Sequence, residues 1–177
     1  MRRLTPFQTL GPFFDFGLTE AGAEILVDDP IEGRGIRIEG TVLDGAARPV
    51  PDALVEIWQA DASGNHPRPG STFRGFGRCG TNDEGRFSFR TVVPGRVAGP
   101  EGLQAPHLLV GVMGRGILTR LVTRIYFDDQ PSNAEDTILR LVPADRRESL
   151  IARTVAKDLY RFDVVLQGER ETVFFDV

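Results

Sequence analysis

Hydrophobic and polar residues alternate along much of this chain with the period of two that marks strands lying on a core. Ile36, Ile38 and Val42 alternate with Arg37 and Glu39, which predicts a half-buried strand from residue 36 onward. A turn over 44–51 leads into a second apolar run, Ala53-Leu54-Val55-Glu56-Ile57-Trp58-Gln59-Ala60. Asn82-Asp83-Glu84-Gly85 is a turn signal, and Phe87 and Phe89 behind it place two rings on one face of a strand over 85–93. A Pro-Gly turn and a loop through Ala105 separate that strand from one entered at His107. The longest candidate covers 118–127, where Leu121, Thr123, Ile125 and Phe127 share a face, and Asp128-Asp129-Gln130-Pro131 stops it. Residues 160–166 and 171–175 predict closing strands around a turn at 167–169. One helix start is visible. Asp145 as N-cap, with Glu148 three residues on and Leu150 and Ile151 following, predicts two or three helical turns.

The pattern is that of an all-β protein with one short helix and long loops. Residues 2–35 depart from it. Thr5-Pro6-Phe7-Gln8-Thr9-Leu10-Gly11-Pro12-Phe13-Phe14 mixes two prolines with three phenylalanines, which predicts an extended arm with an apolar side. Such an arm cannot fold alone and must lie on its own domain or on a partner.

Composition adds bounds. A chain of 177 residues, 41% hydrophobic and 26% charged, is expected to form a single domain with its own core. No apolar run reaches the roughly 20 residues that span a bilayer. The initial Met1-Arg2-Arg3 has no apolar segment behind it, and the single cysteine, Cys79, fits a reducing compartment, so a cytoplasmic location is expected. A net charge of −4 argues against a nucleic-acid partner. Lys157 is the only lysine in a basic set otherwise made of arginine, the residue that grips planar carboxylates in a fixed fork. Adjacent carboxylates at a strand end point opposite ways, so Asp128 and Asp129 predict capping or surface roles rather than a metal site. Gly114 and Gly116 predict a tight turn. Cys79 has no base beside it and predicts a small buried hydrophobe.

The run Gly77-Arg78-Cys79-Gly80-Thr81 through Phe89-Arg90-Thr91 to Pro94-Gly95-Arg96-Val97 resembles the region that carries the ferric site in the intradiol ring-cleavage dioxygenases. In that family a G-R-C-x-T-x-x-x-G-x-x-x-F-R-T-x-x-P-G-x-Y run supplies a tyrosinate, and a following P-x-H-x-H supplies two imidazoles. Here Val97 stands at the tyrosine, His107 keeps the first histidine and Leu109 replaces the second. A further tyrosine ligand, six residues after W-Q-A, is His66. Tyr126 and Tyr160 match strand positions away from the metal. The resemblance therefore implies a prealbumin-like β-sandwich of mixed topology that binds no iron itself. His66 and His107 are then expected as hydrogen-bonded histidines near a relict pocket.

Within the family the similarity is to the iron-free chain of the two-chain members. The P-H-L-x-V, R-G-I, L-x-T-R-I-Y-F-D-D, R-R-E-S-L-I-A-R and Y-R-F-D-x-x-x-Q-G-E-x-E-T-V-F-F-D runs carry it. It implies a hetero-oligomer with a homologous beta chain about a pseudo-two-fold, with Fe(3+) bound by that partner. The implied reaction is O2-dependent cleavage of protocatechuate, a small aromatic carboxylate, to 3-carboxy-cis,cis-muconate. The implied substrate-binding residues of this chain are Thr9, Gly11 and Pro12 of the T-x-G-P arm, which closes over the partner's site, and Arg115, which reaches its substrate end. No catalytic residue is expected here. Two other readings fit parts of the sequence. A binding module without an enzymatic partner would leave the arm and the R-I-Y-F-D-D run unexplained. A lone metal enzyme built on His66 and His107 lacks further ligands.

Overall fold

The computed structural model describes residues 6, 8–11, 14–27, 32–99 and 102–176, with the backbone alone at 15 and 16. Eleven strands are formed among them: β1 (Gly35–Leu43), β2 (Leu54–Trp58), β3 (Phe76–Gly80), β4 (Arg86–Val92), β5 (Val97–Gly99), β6 (Gly102–Gln104), β7 (His107–Met113), β8 (Leu121–Phe127), β9 (Ile151–Ala156), β10 (Leu159–Arg161) and β11 (Val164–Val165). Nine of them join in the order β11-β1-β10-β9-β8-β7-β2-β3, with β4 on β1, and β5 and β6 pair as a separate hairpin. The topology is mixed. β1 runs parallel to β10 and β11 and antiparallel to β4, and β8 runs parallel to β9. β9 thus links a layer built on β1 to a layer built on β2, β7 and β8.

Alternation dictates what fills the space between the layers. Ile38 and Phe89 from one side meet Val55, Val110 and Ile125 from the other, all almost fully buried. Phe87 and Phe89 share a face as their spacing requires, with ring centroids 6.0 Å apart. Each such side chain removed from water contributes about 1.5–3 kcal/mol. Opposite Phe87 in the β1–β4 register lies Gly40, where a Cβ would run into the Phe162 carbonyl and the Phe87 ring. Gly40→Ala is therefore expected to lower stability by at least about 2 kcal/mol, measured by denaturant unfolding, because backbone on one side leaves no room to yield. An unchanged midpoint would show that the β1–β4 pair yields to a methyl group at little cost.

The closure of the two layers comes from the segment before β1. Arg78 N–H donates to the Ala23 carbonyl, Arg90 N–H to Glu24, and Leu26 N–H to Arg90, so residues 23–26 tie the free edges of β3 and β4 together. That covers two edges that would otherwise invite pairing with other chains.

Four expectations are corrected. The helix expected from Asp145 is a 3-10 turn, Arg147–Leu150, whose cap residue Arg146 makes no side-chain cap bond. The chain then continues as β9, because Ile151 and Ala152 pair with Tyr126 and Phe127 and Leu150 packs under Tyr126. Strand pairing outweighs the local capping signal there. A helix does form at α2 (Thr137–Leu141), where the Asp136 carboxylate accepts from Leu139 N–H. The expected extended arm contains one helical turn, α1 (Phe14–Leu18). Residues 171–176 hold no strand, yet they are docked, with Phe175 N–H donating to Val122 and the Thr123 hydroxyl to Val173. The loop expected from 94 to 105 contains the β5–β6 hairpin instead.

Candidate functional site

The arm returns to the body of the chain at the β7–β8 connection. Gly114 to Ile117 is a tight turn, closed by Ile117 N–H on the Gly114 carbonyl and permitted by the left-handed Gly116, φ 88°. Thr9 clamps this turn from outside. Its hydroxyl donates to the Gly114 carbonyl at 3.0 Å and accepts from Gly116 N–H at 2.9 Å. Thr9→Val keeps the shape and loses both bonds, so the Gly116 amide is expected to exchange with solvent about tenfold faster. Exchange at the wild-type rate would mean that the arm does not hold this turn.

A second turn faces the first. Residues 50–53 carry Pro51 and then Asp52 in left-handed backbone, φ 60°. Thr81 fastens this turn, accepting from Ala53 N–H at 2.9 Å and donating to the Val50 carbonyl at 2.8 Å. Between the two turns and the arm lies a cleft of about 630 Å³, lined by Leu10, Gly11, Phe14, Asp52, Thr81 and Arg115 among others. Arg115 reaches across it to Asp52, Nη2 to Oδ2 3.3 Å, with both side chains exposed. The structure therefore brings Thr9, Gly11 and Arg115 into one cluster. Pro12 lies outside the described residues. Asp52 was not singled out by sequence, where it falls between the 44–51 turn and the strand that follows, and Thr81 entered only as part of the G-R-C-x-T run.

The four positions at which the resemblance places ferric ligands have a different character. Val97 is buried and Leu109 half-buried, and neither has a donor atom. His66 lies exposed and stacked on Trp58, centroids 5.8 Å apart. His107 Nδ1 donates to the Ala105 carbonyl at 2.8 Å, an assignment that follows because a carbonyl can only accept. Burial, with Arg124 nearby, pulls the His107 pKa down to about 4. Hard ferric iron favours phenolate oxygen beside imidazole, and no phenol stands at any of these positions. Tyr126 and Tyr160 are fully buried elsewhere and donate to Asp136 at 3.0 Å and Asp129 at 2.7 Å. Burial pushes both phenols up, Tyr160 to about 12, away from the tyrosinate form. The residues present do not fit a ferric site. Among the described residues, no group of three or more His, Cys, Asp or Glu side chains could hold a metal ion.

The depressed His107 pKa has a sign that can be worked out. Below its ordinary value of 6.5 the unfolded chain binds a proton that the folded chain refuses until about pH 4. Stability is then full above pH 6.5 and is lost as pH falls toward 4. His107→Gln is expected to remove a large part of the acid sensitivity in that window, read from unfolding midpoints at pH 7 and pH 4.5. An identical pH profile would assign the loss to other groups.

Of the remaining expectations, the adjacent aspartates diverge as expected, whereas Cys79 is partly rather than fully buried. Asp128 accepts from Thr154 on β9, whereas Asp129 accepts from Arg34 and Tyr160, so the adjacent carboxylates diverge. Burial raises the Cys79 thiol pKa, and its S–H donates to the Gly80 carbonyl.

Fold and site define a class. Residues 11–168 match the family model described as Dioxygenase, and the chain belongs to the intradiol ring-cleavage dioxygenase family. The dioxygenase domain of a dioxygenase and carbohydrate-binding fusion from Streptomyces sp. SirexAA-E superposes with a TM-score of 0.67 at 28% identity, covering 93% of this chain and 98% of that one. Within the family, the protocatechuate 3,4-dioxygenase alpha chain of Burkholderia cepacia is 43% identical, covering 98% of this chain and 97% of its own length. The alpha chain from Pseudomonas putida is 40% identical with coverage of 97% and 96%. The beta chain from Burkholderia cepacia is 34% identical, over 93% of this chain and 76% of its own length.

Proposed function

We propose that this chain is the iron-free alpha subunit of a cytoplasmic protocatechuate 3,4-dioxygenase, paired with a homologous beta chain that binds Fe(3+). The observation that carries the proposal is a combination within one fold. The ligand positions have lost their donors at Val97 and Leu109, while the arm–turn cleft around Thr9 and Arg115 is intact. Near-full-length similarity to two alpha chains supports it. A stand-alone binding module would leave the arm docked on the 114–116 turn unexplained.

In the assembled enzyme, ferric iron in the beta chain supplies the activation of the catechol ring toward O2. The work of this chain is to bind and to enclose. Thr9 fixes the arm on the 114–116 turn, so that Gly11 and Pro12 wall the partner's site and exclude water. Arg115 offers its planar fork to the substrate carboxylate, holding the ring's reactive edge toward the partner's metal. No proton transfer is assigned to residues of this chain.

The test is co-expression with a homologous beta chain, followed by co-purification, iron assay and O2 uptake on protocatechuate, with this chain alone as the control. Iron and turnover confined to the complex are expected. Stoichiometric iron or turnover in the isolated chain would overturn the proposal and return attention to His66 and His107.

A further inference from the structure

The proposed function leaves the Asp52–Arg115 pair unexplained. Asp52 occupies left-handed backbone, a conformation that glycine or asparagine enters at lower cost than most residues. The turn that carries it is fastened by Thr81, so its carboxylate stands at a fixed lip of the cleft. Arg115 is the only basic side chain lining that cleft among the described residues. A single contact at 3.3 Å joins the two, with side chains 78% and 58% exposed. One nitrogen of the fork is engaged and the others stay free.

We infer that Asp52 is a built-in counter-ion that parks Arg115 across the cleft and competes with the substrate's carboxylate, so that it sets the preference between acidic and neutral catechols. The inference rests on Arg115 meeting the substrate, as proposed above. An exposed, single-contact ion pair is weak and exchanges readily. A carboxylate arriving in an enclosed, drier site can take two parallel bonds from the same fork, which is the stronger arrangement. Two anions then share one positive charge, and the one already present lowers the affinity for the second. A catechol without a carboxylate does not enter this competition. Asp52 is thus a positioning residue that touches no reacting atom.

The test uses the co-expressed two-chain enzyme carrying Asp52→Asn or Asp52→Gly, both compatible with the left-handed turn. KM for protocatechuate and for catechol is measured at low and high salt, beside Arg115→Ala. Both Asp52 variants are expected to lower KM for protocatechuate about threefold, the scale of an exposed ion pair, and to leave catechol where it was. The gain should shrink at high salt and vanish in the Asp52→Asn, Arg115→Ala double variant. A protocatechuate KM that is unchanged or raised in either variant overturns the competition, while a selective Arg115→Ala defect keeps the contact itself. An Arg115→Ala effect equal on both substrates instead removes the contact, and with it the competition.

Discussion

Replacing Arg115 with alanine in the assembled enzyme is expected to raise KM for protocatechuate about ten- to a hundredfold and to leave KM for catechol within about twofold. The size follows from a charge-assisted bond to a partly desolvated anion, worth about 1.5–3 kcal/mol, at about 1.4 kcal/mol per factor of ten. The selectivity follows from chemistry, since catechol has no carboxylate to lose. Arg115→Lys keeps the charge but not the fork, and should recover only part of the loss. Steady-state O2 uptake on both substrates decides the matter. Equal effects on the two would sink the assignment.

The largest expected effect on stability lies at Asp136, whose side chain is fully buried. Its carboxylate accepts from Ala105 N–H at 2.7 Å, Leu139 N–H at 2.7 Å and the Tyr126 hydroxyl at 3.0 Å. It thereby caps α2, anchors the residue that holds His107, and satisfies a buried phenol. Asp136→Ala orphans three buried donors at about 1–3 kcal/mol each, partly offset by relaxation, so a loss of about 3–5 kcal/mol is expected. For a chain of this length that corresponds to a fall in Tm of roughly 10 °C. Asp136→Asn keeps an acceptor oxygen and should lie between. A loss below about 1 kcal/mol in the alanine variant would mean that water replaces the carboxylate.

Most of the frame was legible because period-two alternation is set by burial on one face. The strands around Ile38, Phe89 and Val110 follow it. Arg147–Leu150 misled because a capping signature is local, whereas β9 owes its existence to partners 25 residues earlier in β8. The arm–turn cluster was legible only through motif resemblance. Nothing in T-L-G-P or R-G-I announces that a threonine hydroxyl bridges them. Asp52 was invisible for another reason. Pro-Asp before a strand is an ordinary turn, and its functional setting appears only when Arg115 arrives from the far side of the fold.

The Thr9 clamp has a consequence for the order in which the chain acquires structure. Its bond to Gly116 joins residues 107 apart in sequence, and the Thr41–Asp163 bond that helps seat β1 joins residues 122 apart. Contacts so distant make folding slow, because loop closure must precede their reward. At roughly 5–20 residues per second of synthesis, the arm leaves the ribosome several seconds before the turn it grips exists. A segment made well before its partner turn is therefore among the last to be placed. If a beta chain recognises the docked arm, as proposed above, it would select only those chains whose β7–β8 turn is already complete, and the clamp would then report maturity.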